Sequence, residues 1–297
     1  MSIKRELFKL LPDKIYLQLQ YYKYFKKFIN FKHPKTFNEK LQWLKLNDKK
    51  KQYTELVDKY QFKKVISQKL GEEYVVPLIN VYDQADEIDF DQLPNQFVLK
   101  ATHDSGSVFI CKDKNAIDIP KVRNFFNQSL KINYFYGTRE WPYKHVKPRI
   151  IAEQYLIDES GFELKDYKVF CFNGVPKLIG LVKGRTNTPT EDFYSTEWKK
   201  VDIEFGGYPN STTIMEKPVF LEEMLRLSSL LAKDTYFLRV DWNYANQHLK
   251  LGELTFYETA GLETIKPDQW NHQLGEWIQL PIDKTYKNRK YKRKARN

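Results

Sequence analysis

The chain has 297 residues, 41% of them hydrophobic and 15% aromatic, enough to build one large domain or two to three small lobes and too apolar for a disordered chain. Its formal net charge of +11 sits at the two ends: residues 1–51 hold 14 Lys or Arg against 4 Asp or Glu, and residues 284–297 hold 8 against none. The intervening stretch holds 27 bases and 34 acids, so the body is mildly acidic and no nucleic-acid partner is expected, because such a partner calls for basic charge spread over a folded face.

In chain order, residues 13–29 read as a helix, with Leu17, Tyr21, Tyr24, Phe25 and Phe28 recurring at spacings of three and four. Residues 37–70 read as helical too: Thr36 and Glu39 form a capping box for the segment from Phe37 to Leu46, and Gly71 ends the stretch from Tyr53 to Leu70. Short strands follow at 74–76, 78–82, 97–101 and 108–111, then a helix at 119–130. Residues 149–156, 167–172 and 175–182 read as strands, the last two joined by the two-residue hairpin turn Asn173-Gly174. Helical spacing returns at 217–232, strands at 237–242 and 249–256, and a last helix at 268–279. Strands interrupted by single helices and joined by hairpins predict an α+β fold.

Cys111 and Cys171 lie in separate apolar runs and read as buried small hydrophobes, without disulfide or zinc spacing. Residues 1–5 are not followed by an apolar core of signal-peptide length, and no run approaches the length of a membrane span, so a cytoplasmic location is expected.

Three constellations carry chemistry. In residues 97–110 an apolar strand ends in Lys100, passes through the small polar loop Thr102-His103-Asp104-Ser105-Gly106-Ser107, and returns as a second strand. Such a loop aims backbone N–H groups and a lysine at polyphosphate oxygens, because small residues let the backbone approach an anion. No Gly-Lys-Ser/Thr opens a helix, so this is not a Walker loop. In the second, alternation sets Arg239 and Asp241 on one strand face and Glu253 and Thr255 on one face of the next. Paired around the turn at 244–247, they bring together an arginine for a transferring phosphoryl group and two carboxylates for magnesium; a structural ion pair of Arg239 with a carboxylate is the alternative. The third is 150–156, an apolar strand that turns polar and then aromatic, suited to a hinge whose backbone reads an adenine edge.

Together these resemble the ATP-grasp superfamily, and within it the TupA-like branch, the teichuronopeptide-biosynthesis type found among capsule-making genes. The branch resemblance rests on Thr36-Phe37-Asn38-Glu39-Lys40-Leu41-Gln42-Trp43, Asp58-Lys59, the run Asp166 to Gly174, and Gly252-Glu253-Leu254-Thr255-Phe256, and it covers residues 7–281. It implies a fold of two α+β lobes clasping ATP, divided here as a helical region 1–55, a lid-bearing lobe 56–152, a metal-bearing catalytic lobe 153–281 and a basic, disordered tail 282–297. Lys59 then resembles the outer ATP lysine, and Lys100 the strand lysine on the phosphates. Loop 102–107 resembles the phosphate cover, with Thr102, His103, Ser105, Gly106 and Ser107 at the nucleotide. Glu153, Gln154, Tyr155 and Leu156 match the adenine hinge, and Asp166 or Glu163 the ribose ligand. Arg239 fits the phosphoryl-stabilising arginine, and Asp241 and Glu253 the magnesium carboxylates. Where many relatives carry Asn two residues after the second metal carboxylate, this chain has Thr255, which leaves Glu258 or water as a further ligand.

The implied activity is ATP- and magnesium-dependent joining of a carboxylate to an amine through an acyl phosphate. The capsule link implies a uronic-acid carboxylate of a cell-surface glycan or its precursor, and an amino acid or amine as acceptor. A glycosyltransferase is the rival; it would use Asp89 and Asp91 at a metal and leave Lys100, Arg239, Asp241 and Glu253 without a joint purpose. His103 reads equally as an exposed loop residue, and Asp89-Phe90-Asp91 as a polar turn before Leu93-Pro94. The basic ends are expected to give weak, salt-sensitive attachment to an anionic membrane surface led by the tail, with the aromatic face of the first helix packed on the core.

Overall fold

Proline and left-handed turns, more than hydrophobic runs, cut this chain into elements. The computed structural model describes residues 8–282 apart from Thr186. Helix α1 (Asp13–Phe25) follows Pro12 and stops where Lys26 enters the left-handed region at φ 55°, short of the expected end at residue 29. The expected helical stretch 37–70 is three helices: α2 (Phe37–Asn47), α3 (Gln52–Val57) and α4 (Gln61–Leu70). The break falls at Asp58-Lys59-Tyr60, where the Asp58 carboxylate accepts the backbone N–H of Tyr60 at 2.9 Å and of Gln61 at 3.4 Å, so the side chain competes with helix continuation. Tyr74, expected to open a strand at 74–76, instead ends a 3₁₀ turn over Glu72–Tyr74. The capping box at Thr36 and Glu39 is present, with the Glu39 N–H donating to Thr36 Oγ1 at 3.3 Å and the Thr36 N–H to Glu39 Oε2 at 3.1 Å.

Strands β1 (Leu78–Tyr82), β2 (Phe97–Ala101) and β3 (Val108–Cys111) precede α5 (Ile119–Ser129), the short α6 (Phe135–Thr138) and β4 (Ile150–Gln154). Then come β5 (Asp166–Phe172), β6 (Val175–Lys183), β7 (Thr190–Tyr194), β8 (Lys200–Val201) and β9 (Glu204–Phe205). The chain continues with α7 (Leu221–Ala232), β10 (Phe237–Ala245), β11 (His248–Thr255), β12 (Ile265–Lys266) and α8 (Gln269–Trp277). The fold is thus α+β. The sequence pattern missed β7, β8, β9 and β12, whose polar residues and short lengths leave little alternation to read.

Two compact units result, and neither is contiguous in sequence. The first comprises Met1–Asn47, Tyr167–Val240 and Thr255–Asn297; the second comprises Asp48–Asp166 and Asp241–Leu254. They differ from linear lobes bounded at 55, 152 and 281 because the β10–β11 hairpin returns residues 241–254 to the second unit, where Val75 bridges to Leu251 and Lys250 Nζ donates to the Glu73 carbonyl at 2.6 Å. The tail expected to be disordered lies outside the described residues. Among the described residues, no helix is long and apolar enough to cross a membrane.

In the second unit the sheet runs β1-β4-β2-β3, every neighbour antiparallel. One face carries Phe97, Leu99, Ala101, Ile150 and Ala152 into a core with Val122 and Phe126 of α5. Pairing of Val98 with Glu153 and of Lys100 with Ile151 and Val108 sets Lys100 and Glu153 on the opposite face.

In the first unit the strand order is β10-β5-β6-β7-β8. The turn Asn173-Gly174 has φ of 48° and 83°, the two positive values a type I′ hairpin needs. Phe170, Phe172, Phe193 and Phe237 form an aromatic core closed by Phe37 of α2 and Phe205 of β9, with centroids 5.0 Å apart for Phe37–Phe237 and for Phe193–Phe205.

Candidate active site

The break between α3 and α4 positions Lys59, the first lysine of the expected site. Lys59 follows the Asp58 cap; its backbone N–H donates to the Thr102 carbonyl at 3.2 Å, and its Nζ donates to the Asp104 carbonyl. Thr102 is tied in turn to the Arg149 carbonyl through its N–H at 2.9 Å and to the Lys147 carbonyl through Oγ1 at 3.2 Å. Loop 102–107 is therefore anchored at its start, and only Ser105 and Gly106 at its tip are exposed. Gly106, at φ 109°, occupies backbone space that favours glycine.

His103 is buried at 2% exposure, which replaces the reading of an exposed loop histidine. Its Nε2 lies 3.1 Å from the Ser129 carbonyl at the end of α5. A carbonyl only accepts, so Nε2 carries the proton, and the buried Nδ1 has no hydrogen-bond partner. The Ser107 hydroxyl donates to Asp104 Oδ2 and lies 2.9 Å from Ser129 Oγ, while Asp104 Oδ1 is buried without a partner. Burial of the loop's first half follows from its docking on α5, which no local pattern announces.

At the sheet, the Glu153 carboxylate is shared by two ammonium groups, Lys63 Nζ at 2.5 Å and Lys100 Nζ at 2.6 Å. Burial opposes ionisation of Glu153, but Lys100 and Lys63 outweigh it and hold the carboxyl at about 2. Burial pulls the Lys63 ammonium below its usual range, and Lys63 also donates to the Val76 carbonyl at 2.6 Å. Burial acts the same way on Lys100, but Glu153, then Glu253 and Asp166, more than offset it, and its pKa lies above the ordinary value. Lys100, Glu253 and Asp166 thus share one electrostatic neighbourhood. Lys59 and Glu253 line a common small cleft with Phe62 and Tyr143.

The hairpin that carries Glu253 is held closely. Gly252 lies against the Asp241 carbonyl and the Asn243 side chain, where an added Cβ would come within 3.3 Å of Oδ1. Asn243 donates to Asp166 Oδ1 at 2.6 Å and to the Lys165 carbonyl at 2.9 Å, orienting the Asp166 carboxylate. Glu163 sits 3.8 Å from Lys165 Nζ, which makes a tighter 2.6 Å pair with Asp158. Of the expected hinge, Glu153 is bound to the lysines, the Gln154 N–H donates to the Pro77 carbonyl at 3.0 Å, Leu156 packs with Val76, Leu164 and Ala245, and Tyr155 is half-buried.

In the first unit, Arg239 donates through Nη1 to Glu258 at 2.5 Å, the ion pair that was the alternative reading of this arginine. Glu258 opens a turn in which Thr259, Ala260 and Gly261 all have positive φ, at 41°, 55° and 64°. Side chains of α2 hold that turn: Gln42 Nε2 donates to the carbonyls of Ala260 and Gly261 at 2.8 and 2.9 Å, Lys45 Nζ to Ala260 at 2.7 Å, and Asn38 Nδ2 to Glu263 at 2.8 Å. The polar positions of the motif 36–43 thus serve as props for the segment that presents Glu258 to Arg239.

Sequence reasoning missed Lys63 and Tyr134. Lys63 follows Lys59 by four residues, a spacing that the expected helix 37–70 would have set on one face. Burial, then Glu140, push the Tyr134 hydroxyl pKa upward, against the nearby Ser105 side chain at the loop tip, which lowers it; Tyr134 lies in an aromatic run with no distinguishing spacing. Asp89 and Asp91 are exposed and form a turn, with the Asp91 N–H donating to Asp89 Oδ1 at 3.1 Å. An open cavity of about 690 Å³ beside β3 and α5, lined by Val108, Ile110, Lys112, Lys121 and Phe125, contains none of the expected site residues.

A family model described as TupA-like ATPgrasp matches residues 39–279. Among curated proteins none matches the sequence. Similar solved structures include the D-alanine–D-alanine ligase from Bacillus anthracis complexed with ATP, at 16% identity and a TM-score of 0.40, covering 68% of this chain and 55% of that one. Another is a RimK domain ATP-grasp protein from Sphaerobacter thermophilus, at 8% identity and a TM-score of 0.41, covering 76% and 69%. The ATP-grasp ligase PsnB complexed with its minimal precursor matches at 11% identity and a TM-score of 0.38, covering 73% and 57%. This chain therefore spans little more than half of the Bacillus anthracis ligase, and identities this low attach no substrate to it.

Proposed function

The chain belongs to the TupA-like ATPgrasp family, and from that premise we propose that it is an ATP- and magnesium-dependent ligase that activates a carboxylate as an acyl phosphate and joins it to an amine. The observation that carries this reading is the convergence around Lys100, which shares its surroundings with Glu153, Glu253 and Asp166 while Lys59 braces the neighbouring loop. A plain structural sheet face has no use for a half-buried lysine among three carboxylates.

The donor set fits a magnesium nucleotide. Among the described residues no group of three or more His, Cys, Asp or Glu could hold a metal alone; as the family resemblance has it, Asp241 and Glu253 would supply two hard oxygens and leave the other positions to phosphate and water. When bound, the ion would neutralise charge on the transferring phosphoryl group. Lys59 and Lys100 would hold the phosphates, and the N–H groups and hydroxyls of Ser105, Gly106 and Ser107 would cover them. His103 Nδ1 and Asp104 Oδ1, buried without partners, mark this loop as built for a further polar contact. Gln154, Tyr155 and Leu156 would receive the adenine, and Asp166, oriented by Asn243, the ribose.

In the reaction, a carboxylate oxygen attacks the γ-phosphorus as the bond to the β–γ bridging oxygen breaks and ADP departs. The amine nitrogen then attacks the acyl carbon, inorganic phosphate leaves with the bonding pair, and the nitrogen loses a proton. Arg239 would stabilise the phosphoryl charge once it exchanges its Glu258 partner. The substrate class we favour is a uronic-acid carboxylate of a cell-surface polysaccharide or its precursor, with an amino acid or amine as acceptor. The family branch supports this choice.

The test is to incubate the protein with ATP, magnesium and a panel of uronic acids and amines while following ADP. Release that requires both a carboxylate and an amine is expected; release indifferent to both, or liberation of nucleoside diphosphate from sugar nucleotides, sinks the reading. Asp241→Asn and Glu253→Gln should each lower turnover by about 10²–10³-fold or more with an unchanged circular dichroism spectrum.

A further inference from the structure

Helix α1 carries two apolar faces, and among the described residues only one is covered. Tyr16, Leu17 and Tyr21 are buried, whereas Ile15, Leu19 and Tyr22, at i, i+4 and i+7, stand 50%, 46% and 44% exposed. The outer stripe continues past the helix. Lys26, at φ 55°, turns the chain, and Gln18 clamps the return by donating to the Ile29 carbonyl at 3.0 Å and accepting the Ile29 N–H at 2.8 Å. That clamp brings the 66%-exposed Phe28 ring onto Tyr22, stacked at a centroid distance of 4.8 Å. Four apolar side chains therefore form one held surface, unlike the single exposed hydrophobics common on any protein. Lys14, Lys23, Lys26 and Lys27 are all exposed around it, and between residues 8 and 35 Asp13 is the sole acid.

We propose that this face docks on an anionic lipid bilayer, with α1 lying in the plane of the interface, its outer apolar stripe at the headgroup boundary and its lysines against lipid phosphates. Charge decides among the occupants. A second copy of the same face would set lysines against lysines, and a nucleic acid would satisfy the lysines while leaving the apolar stripe in water. An anionic bilayer meets both needs at once. Of the aromatic face Tyr21, Tyr22, Tyr24 and Phe25, expected to pack on the core, Tyr21 is buried and Phe25 half-buried while Tyr22 and Tyr24 are exposed, and the attachment assigned from sequence to the tail is placed instead on the helix. Nothing in this surface depends on the ligase activity.

Cosedimentation of the full chain with vesicles tests it, comparing phosphatidylcholine alone with phosphatidylcholine containing phosphatidylglycerol. The unaltered protein should partition into the mixed vesicles and far less into the neutral ones. The triple variant Ile15→Ser, Leu19→Ser, Tyr22→Ser should lower the partition coefficient at least about tenfold, and Lys23→Glu, Lys26→Glu, Lys27→Glu on the order of a hundredfold, at about fivefold per lysine. All six positions are exposed, so both variants should keep the melting temperature of the parent. Variants that bind as the parent does would assign the attachment elsewhere on the chain and overturn the proposal. So would a parent that binds neither vesicle, or one that is a dimer in solution and becomes monomeric when the apolar stripe is replaced.

Discussion

The first unit closes its sheet with aromatic rings, from Phe170, Phe172, Phe193 and Phe237 against Phe37 and Phe205, whereas the second sets Glu153 and Lys100 on one face of its own sheet with Lys63 of α4 against them. Aromatic burial is non-directional and stabilises in proportion to the apolar area removed from water. A buried ion cluster must offset the desolvation of each charge, and a hydrophobic substitute of the same size is often as stable. A cluster that keeps three charges is therefore poorly explained by stability alone, and the difference separates a unit built for packing from one built to present charge.

That contrast can be broken at either end. Phe237→Ala in the aromatic core should cost about 3–5 kcal/mol in urea unfolding, with a cavity that neighbouring rings cannot close. A loss below about 1 kcal/mol would show that the rings are not the structural core. Glu153→Gln should cost about 3–5 kcal/mol as well, because it leaves two ammonium groups without their counter-ion. This second loss depends on pH. The Glu153 carboxyl is depressed from its ordinary 4.5 to about 2, so its contribution is fully present above pH 4.5 and disappears as the pH falls towards 2. The two stability curves should converge across that window, and parallel curves there would dissociate the cluster from stability.

A smaller effect sharpens the comparison. Gln42→Leu strips the donors from the carbonyls of Ala260 and Gly261 and should cost about 1–3 kcal/mol. It should also lower turnover, since the turn presents Glu258 to Arg239; a variant with parental turnover would confine α2 to a structural role. The smallest effect belongs to the exposed turn: Asp89→Asn should change stability by less than about 0.5 kcal/mol and leave ADP release untouched. Loss of activity there would revive a metal role for Asp89 and Asp91.

Much of this molecule was legible locally. The Asn173-Gly174 turn, the Thr36–Glu39 capping box, the strands 97–101 and 108–111 around a small polar loop, and the hairpin whose two strands carry Asp241 and Glu253 all depend on residues close in sequence, whose φ preferences and alternation act before any tertiary contact forms. The α+β class and the family followed from the order of such segments. Tertiary structure alone decided which partners those segments met. Gln42 reaches a carbonyl 218 residues away, Glu153 is claimed by Lys63 as well as Lys100, His103 is buried against α5, and α1 turns one apolar face inward while leaving the other exposed among the described residues. Each of these depends on how distant strands and helices close against one another, and a local pattern cannot encode that: periodicity specifies that a face is apolar or a position charged, while the occupant opposite it is set by the closed chain.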